Sequence, residues 1–433
     1  MGIPIGGGRK RRRRRSYADY KPPSRRDDRP RSDPFRVFFY VVVIGALLWV
    51  YRNQDRVKSE FVSQVSEAAA VVGPTPTPTP LPEEFAQLGY ESYQQGRLPE
   101  AIEYYRQAAL YAPNTVEYHA QVARLLIFHS AMNYGEAREA LLEEAAQAAN
   151  GAILAAPESP DGYAVMGLAL DWIGRPDEAA SQLARALENN PDYALGHAYL
   201  AEALMDLDRW DAAQEEAEFA LGLDPNLVDV RRGYAYVLES LGDYAGAAVQ
   251  YEAAIMLHPR LPFIYMALGR NYRQLGRYQE AIDTFFKVDQ IVPQNALVYY
   301  EVGRTYHTYI GDPNSALEYY EQAIDIDPAF VNAWIRIGEV RYLAGNYAQA
   351  ILAFEKALEL GADAVDIYYQ LGLAYAQQGD CGQALPYLRE ARNRSGGDER
   401  IQDIVNAGFE LCAEPTPGPP GSDTPAPTST PDQ

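Results

Sequence analysis

Prolines recur at a fixed spacing through the centre of this 433-residue chain. Pro191, Pro225, Pro259 and Pro293 stand 34 residues apart, and the residues between them repeat in type. Such a period indicates one supersecondary unit stacked many times, so the chain needs no single large core. The repeat therefore limits the fold more strongly than the composition does.

The clearest copy of the unit lies within Leu261 to Asn295, with position 1 at Pro262. Apolar or aromatic residues at positions 4, 7 and 11, and again at 17, 20, 24 and 27, have the spacing of two amphipathic helices. Gly276 at position 15 can adopt the left-handed conformation that ends the first helix, and Pro293 at position 32 stops the second. Small residues at positions 8, 20 and 27 of most copies let the helices approach closely.

This pattern resembles the tetratricopeptide repeat (TPR), a helix-turn-helix unit. The resemblance implies an all-α fold: a right-handed superhelical solenoid of about nine units with a C-terminal cap helix. We expect the nine repeats over residues 83–398, and the apolar stripe of Glu399 to Cys412 predicts a cap helix over residues 399–413. The predicted units begin near Pro82, Val116, Pro160, Ala194, Val228, Pro262, Ala296, Val331 and Val365.

Two units depart from the 34-residue length. The second is ten residues longer, and the excess falls in Tyr134 to Ala155, which has a helical pattern throughout. Ten residues make close to three helical turns, so we predict a longer second helix in this unit. The seventh unit carries one extra residue, which we place around Ile310 to Pro313.

The first 36 residues are basic, whereas the rest of the chain is acidic. They hold 13 Lys or Arg against 4 acids, a net of +9 in a chain whose total is −21, and this composition predicts a disordered segment. The run Arg9 to Arg15 suits the binding of nucleic-acid phosphates. Because it precedes an apolar segment, we favour the interpretation that it is a topogenic signal, which holds this end in the cytoplasm.

The apolar segment Val37 to Tyr51 predicts a transmembrane helix over residues 37–52. Its 15 residues reach about 22 Å, short of a bilayer core, but arginines at both ends can snorkel to the interfaces. A cleaved signal peptide is the alternative. We favour the anchor because the nearest run of small residues, Ala68 to Ala70, lies well downstream. The chain is thus expected to be a single-pass cytoplasmic membrane protein, with an extracytoplasmic repeat domain.

Two further segments flank the repeats. Residues 53–72 are predicted to form a juxtamembrane helix, and the alternating prolines of residues 73–82 predict an extended Pro/Thr linker of about 30 Å. Residues 414–433 predict a Pro-rich disordered tail.

The sequence contains no motif that carries catalysis, metal binding or phosphate binding. We therefore expect no enzyme, no cofactor, no metal and no small-molecule substrate. His119 and His197 fall at position 4, where a packing residue is usual, and most of the 33 tyrosines fall at packing positions too.

In TPR proteins the first helix of each unit lines the concave face, and positions 2, 5, 9 and 12 usually point into it. The resemblance thus implies a partner-binding groove in units five to eight. Arginines are unexpected in so acidic a domain, and a guanidinium pairs bidentately with carboxylates. The predicted groove residues are Arg232, Tyr236, Phe263, Met266, Arg270, Arg273, Tyr300, Arg304, His307, Glu339 and Tyr342.

Two interpretations of this surface stay open. In one, the groove holds an extended peptide with acidic side chains or a free C-terminal carboxylate. In the other, the face is solvated and its arginines pair with Glu239, Glu301 and Glu339. The residues differ from the lysine and asparagine clamp by which some TPR proteins hold chaperone tails, so that ligand is not implied.

Cys381 and Cys412 are the only cysteines. Cys381 begins the second helix of unit nine and Cys412 ends the cap helix, which should run antiparallel to it. Antiparallel neighbours bring these ends together, so we predict a disulfide if the domain is extracytoplasmic. Two buried free thiols are the alternative.

The first functional hypothesis is a membrane-anchored, extracytoplasmic scaffold that binds proteins or peptides in the concave groove of the array. The second is a structural or polysaccharide-associated protein of the cell envelope, without a specific peptide ligand. TPR arrays bind many different partners, so the fold does not choose between these hypotheses.

Overall fold

The computed structural model describes residues 42–43 and 81–413. Val42 and Val43 are helical. The remainder of the predicted transmembrane helix, the basic segment 1–36, the juxtamembrane helix 53–72, the linker up to residue 80 and the tail 414–433 lie outside the described residues. Among the helices that are described, none is both long enough and apolar enough to cross a membrane.

Residues 81–413 form nineteen α-helices and one π-helical segment, and this range contains no β-strand. The first eighteen helices form nine antiparallel pairs, and α19 follows as a single helix. The helices are α1 Pro82–Gln94, α2 Leu98–Tyr111, α3 Val116–Ser130, α4 Gly135–Ala155, α5 Pro160–Ile173, α6 Pro176–Asn189, α7 Ala194–Asp206, α8 Trp210–Leu223, α9 Val228–Ser240, α10 Tyr244–Leu257, α11 Pro262–Gln274, α12 Tyr278–Ile291, α13 Ala296–Arg304, α14 Pro313–Ile326, α15 Val331–Leu343, α16 Tyr347–Glu359, α17 Val365–Gln377, α18 Cys381–Arg394 and α19 Glu399–Leu411.

The first helix of each pair begins at the residue that opens the corresponding repeat in the sequence. In seven of the nine units the turn is made at position 15 in the left-handed conformation, with φ of +75° at Gly96 and +76° at Gly345, whereas in unit seven the left-handed residue is Gly311, one position later. Asp208 takes this conformation in the fourth unit at a φ of 59°, although it has a Cβ. The longer second helix of unit two is α4, which has 21 residues where α2 has 14.

The extra residue of unit seven lies earlier than the sequence suggested. Helix α13 ends at Arg304, and the chain continues as a π-helix over Thr305–Ile310 before the turn at Gly311. A π-turn closes its hydrogen bonds over one more residue than an α-turn does. The insertion is therefore absorbed inside the helix, not in the loop between Ile310 and Pro313.

Small residues let the first helices of units two to five lie directly against one another, and α3, α5, α7 and α9 are in contact in this order. A Cβ added to Gly233 of α9 would stand 3.1 Å from the carbonyl oxygen of Ala198 in α7. Close approach of the inner helices bends the solenoid sharply.

Because of this bend, the first two units contact the later ones across the superhelix. We call these contacts the seam. Its aromatic pairs have ring centroids 4.2 to 4.6 Å apart. They are Tyr93 with His258, Phe128 with Phe263, and Tyr134 with Phe330. The Tyr134 hydroxyl also donates to Asp327.

The end of the array is tied covalently. Cys381 and Cys412 form a disulfide with their Cα atoms 5.4 Å apart, which joins the start of α18 to the end of α19. Ile401 and Val405 of α19 are buried together with Leu388 of α18. The last helix thus covers the apolar edge of unit nine.

Candidate binding cavity

The seam leaves a cavity of about 440 Å³ inside the first turn of the superhelix. Six helices contribute side chains: α4, α5, α7, α9, α10 and α11. The lining residues are Ala131, Arg138, Asp171, Trp172, Gly174, Glu202, Asp206, Arg232, Tyr236, Tyr251, Phe263, Met266, Ala267 and Arg270.

The repeat frame explains why charged side chains meet here. Asp171 occupies position 12 of unit three, Glu202 position 9 of unit four, and Arg232 position 5 of unit five. Met266 and Arg270 occupy positions 5 and 9 of unit six. These positions share the inner side of a first helix, since they follow the helical period. The stacking of successive units then places these side chains around one cavity.

One wall of the cavity is a closed ion pair. Arg232 donates from both terminal nitrogens to the two carboxylate oxygens of Glu202, each at 2.6 Å. The two residues are only 5 % and 2 % exposed, and the guanidinium also lies 5.7 Å from the ring of Trp172. Such a pair adds little net stability, because desolvation offsets the attraction, but loss of one partner leaves a buried charge.

A second buried ion pair crosses the interior next to the cavity. Arg124 of α3 donates to Asp229 of α9, with its Nε 3.0 Å from Oδ1. The Tyr199 hydroxyl donates to the same carboxylate at 2.6 Å, and Arg124 also donates to the Tyr93 hydroxyl at 3.2 Å. Burial opposes ionisation of Asp229, but the guanidinium of Arg124 outweighs it and lowers the pKa of this carboxyl. The pair holds unit two against unit five.

Two arginines of the cavity have no ion-pair partner among residues 81–413. Arg138 and Arg270 are both half-buried. The guanidinium of Arg138 lies 6.0 Å from the ring of Trp172, a contact that leaves its N–H donors free. Their charges therefore face the cavity without compensation at contact distance.

Asp171 is the third unsatisfied group. It is 7 % exposed, and its buried Oδ1 contacts no hydrogen-bond donor of residues 81–413. Burial, reinforced by the charges of Glu202 and Asp206, raises the pKa of Asp171 to about 8. The cavity thus combines free cationic donors, a carboxyl that is mainly neutral at pH 7, and apolar rings.

Five of the eleven predicted groove residues line this cavity: Arg232, Tyr236, Phe263, Met266 and Arg270. Arg232 and Phe263 are buried and Arg270 is half-buried, so these residues surround a partly open cavity and do not line an open groove. Met266 is 1 % exposed. The physical reason is the seam, which stacks units one and two over the inner face of units five and six.

Two other predicted groove residues are buried away from the cavity. Arg273 is 2 % exposed and donates to Glu301 at 2.6 Å. Tyr300 is buried beside the rings of Tyr320 and Phe330. Neither side chain is accessible to a partner in this conformation, which corrects their placement on a groove.

The remaining four predicted residues, Arg304, His307, Glu339 and Tyr342, lie apart from the cavity on α13, its π-helical continuation and α15. We call the inner side of units seven to nine the open face, because no seam contact to units one and two covers it beyond Phe330. His307 is half-buried in the π-helix, and burial lowers the pKa of its imidazole.

The alternative interpretation, in which the arginines pair with glutamates, holds in part. Arg273 and Arg304 both contact Glu301, the latter at 3.3 Å. Glu339 instead accepts from Arg336 at 2.7 Å. Glu239 pairs with no arginine in the described structure.

Asp171, Trp172 and Arg138 were not among the sequence predictions. Asp171 stands at an inner position of unit three, so the repeat frame indicates its direction. Arg138 lies on the long second helix α4, a position for which the frame predicts an outer location. Only the bend of the solenoid brings it to the cavity. Within residues 81–413, no group of His, Cys, Asp or Glu has the arrangement of a metal site.

Comparison with known families agrees with this architecture. A family model described as tetratricopeptide repeat matches residues 87–153, 165–213 and 200–262, and two others of that description match residues 264–295 and 311–352. A model described as TPR repeat matches residues 338–379. The chain belongs to the tetratricopeptide-repeat family. Arrays of this family generally act as scaffolds for protein–protein interaction. No curated protein matches the sequence.

Solved structures share the fold at low sequence identity. The human IFIT1 dimer with PPP-AAAA is 17 % identical, with a TM-score of 0.52 over 81 % of this chain and 82 % of that one. The APC/C hetero-tetramer Cut9–Hcn1 is 14 % identical over 76 % of each chain, with a TM-score of 0.49. MamA is 25 % identical over 37 % of this chain and 94 % of its own, with a TM-score of 0.33. The first of these supports a shared superhelical fold and nothing beyond it.

Proposed function

We propose that this protein is a membrane-anchored, extracytoplasmic scaffold that binds an acidic segment of a partner protein at the cavity of its first turn. The observation that carries the proposal is the pair of uncompensated arginines, Arg138 and Arg270, beside the apolar surface of Trp172 and Phe263. TPR repeats typically bind protein partners, which gives the general class of ligand.

The chemistry of the cavity favours a carboxylate. A guanidinium binds a carboxylate through two parallel N–H donors, and the bond is strong where water is excluded. Half-buried Arg138 and Arg270 offer such donors. The rings of Trp172 and Phe263 can pack against the aliphatic part of an acidic side chain or of a C-terminal residue. The arrangement contains no nucleophile paired with a base, so we assign it a binding role and no catalytic one.

The anchor and the location rest on the sequence. Arg9 to Arg15 precede the apolar segment Val37 to Tyr51, an order that retains the amino terminus in the cytoplasm. The disulfide between Cys381 and Cys412 supports an oxidising compartment for the repeats.

Labelling of intact cells tests this topology. In the full chain, Asn314→Cys places a thiol on the exposed first turn of α14, and Ser16→Cys places one in the basic segment. A membrane-impermeant maleimide should label the first thiol in intact cells, and the second only after lysis. The reverse result would contradict the proposed orientation.

Charge reversal tests the binding proposal. Arg270→Glu should reduce capture of the native partner from membranes by tenfold or more, because it removes a cation and adds a repulsive charge. Arg389→Glu is the matched control, since Arg389 is exposed on α18 and contacts no carboxylate within residues 81–413. Capture that is equal for both variants and for the parent protein would exclude the cavity as the binding site.

A further inference from the structure

Asp171 is a buried carboxyl that the fold leaves without a partner. Its Oδ1 has no donor within hydrogen-bond distance in residues 81–413. The nearby guanidinium of Arg232 directs both terminal nitrogens at Glu202, and its buried Nε has no hydrogen-bond partner in residues 81–413, so Arg232 does not donate to Asp171. An unpartnered buried carboxylate is costly, whereas a neutral carboxyl costs less and can donate its O–H.

The titratable and charged groups that line the cavity with Asp171 come from five other helices. They are Arg138 of α4, Glu202 and Asp206 of α7, Arg232 and Tyr236 of α9, Tyr251 of α10, and Arg270 of α11. Burial and the two neighbouring acids raise the pKa of Asp171 to about 8, and Arg232 only partly opposes them. Burial likewise raises the pKa of Tyr236, so its hydroxyl stays neutral as well.

The charge balance of the cavity follows from this protonation state. With Asp171 neutral, Arg138, Arg232 and Arg270 stand against Glu202 and Asp206, which leaves one positive charge. With Asp171 ionised, the lining is neutral overall. One carboxylate therefore balances the neutral-Asp171 cavity, whereas a phosphate dianion would leave an excess negative charge.

We propose that Asp171 determines the specificity of the cavity by donating its O–H to a monocarboxylate carried on an apolar body, which Arg138 and Arg270 bind at the same time. This inference rests on the proposed function and adds the ligand class and the regulation of the site. An ionised Asp171 has no proton to donate and repels the incoming carboxylate, so the protonated form alone is competent to bind.

The pH dependence follows in sign and size. The fraction of the protein in which Asp171 is protonated, and which can therefore bind the ligand, falls as pH rises through the pKa of about 8. Apparent affinity scales with that fraction, so it should drop about tenfold between pH 7 and pH 9. The arginines stay charged over this range. Burial raises the pKa of Glu202, and the guanidinium of Arg232, which binds it through both terminal nitrogens, opposes that shift.

Calorimetric titration of the full chain with three small probes tests the ligand class. N-acetyl-phenylalanine carries one carboxylate on an apolar body, its amide carries no charge, and phenyl phosphate carries a dianion. The proposal expects binding of the first at pH 7, weakened about tenfold at pH 9, and at least tenfold weaker binding of the other two. Equal binding of all three probes, no binding of the acid, or affinity that is constant with pH would overturn the proposal.

Two substitutions isolate Asp171. Asp171→Asn keeps a neutral donor of the same shape, so N-acetyl-phenylalanine should still bind, with an affinity that no longer changes between pH 7 and pH 9. Asp171→Ala removes the donor and should weaken binding at every pH. Asp177→Asn, at an exposed position on α6, should keep the parent pH profile. Circular dichroism melts check that each variant folds.

If the affinity of Asp171→Asn for N-acetyl-phenylalanine still changed with pH, the titration would belong to another group, such as Glu202, and the inference would be contradicted. The proposed function fails on a different readout, namely capture of the protein partner that Arg270→Glu leaves unchanged. A partner that is lost in Arg270→Glu but bound equally by the parent protein at pH 7 and pH 9 would keep the scaffold and reject the role of Asp171.

Discussion

The inner surface of this solenoid has two parts that share one repeat frame and differ in their surroundings. In the first turn, inner charges form buried pairs such as Arg232 with Glu202, at 5 % and 2 % exposure. On the open face, Arg336 and Glu339, three residues apart on α15, form a pair whose side chains are 39 % and 20 % exposed. The position in the repeat determines the direction in which a side chain points. The stacking of one superhelical turn on the next determines whether that side chain is exposed to water.

Residue size on the inner helices accounts for the difference. In units four and five, Gly233 lies against the backbone of Ala198, and α5, α7 and α9 are in contact in this order, so the path bends. In units seven and eight, the first helices α13 and α15 are not in extensive contact. The bend, and with it the seam, therefore belongs to the first part of the array.

The largest loss of stability should come from breaking the ion pair between Arg124 and Asp229, which spans the first turn. Arg124→Ala leaves Asp229 charged and buried, so we expect a loss of about 3–5 kcal/mol in the free energy of unfolding, measured with urea. The double variant Arg124→Leu/Asp229→Leu should recover part of this loss, because no charge then remains unpaired. A loss below about 1 kcal/mol in the single variant would show that the pair is not buried as described.

Two glycines at the same repeat position distinguish the effect of the seam on stability from the effect of the left-handed turn. Gly96 and Gly345 both stand at position 15 with nearly equal φ, +75° and +76°. A Cβ at Gly96 would lie 2.3 Å from the carbonyl oxygen of Arg260 across the seam, whereas nothing lies within 4 Å at Gly345. We expect Gly345→Ala to cost about 1–2 kcal/mol and Gly96→Ala about 1–3 kcal/mol more. Equal losses in urea unfolding would mean that the seam does not form in solution.

Acid should weaken the seam through His258. Burial lowers the pKa of its imidazole, and both ring nitrogens lack a partner in the described structure. The unfolded chain therefore binds a proton more readily, so stability is present above the unfolded pKa of about 6.5 and falls as pH drops below it. His258→Phe should remove this contribution between pH 7.5 and pH 5. His129 and His307, whose pKa values are also lowered by burial, contribute slopes of the same sign, whereas Asp171, whose pKa is raised, contributes a slope of the opposite sign. The contribution of His258 is therefore the difference in slope between the parent protein and His258→Phe in urea unfolding.

The smallest effect is expected on the open face. Arg336→Ala removes a partly exposed pair with Glu339, so the loss should stay below about 1 kcal/mol in the same urea assay. A loss comparable with that of Arg124→Ala would place Arg336 in an enclosed environment and remove the contrast between the two parts.

The repeat frame predicted much of the local structure and less of the site. It predicted the unit starts, the left-handed turns and the long α4, because each depends on residues close in sequence. It did not predict the burial of Arg273 or Phe263, because the repeat pattern implies a solvent-exposed inner face. Phe263 is buried because it meets Phe128, more than a hundred positions away, across the seam, whereas Arg273 is buried in its ion pair with Glu301 of the next unit. Contacts across the superhelix depend on the sum of many small bends between units. No short sequence motif predicts that sum.

Site-specific photo-crosslinking from intact membranes tests most directly whether partners bind in the first turn. A photoreactive phenylalanine analogue at Trp172 lines the cavity, and the same analogue at Leu352 lies on the exposed side of α16. The account predicts a partner crosslinked through position 172, reduced in the Arg270→Glu background, and none through position 352. Partner crosslinks through position 352 and none through position 172 would contradict it.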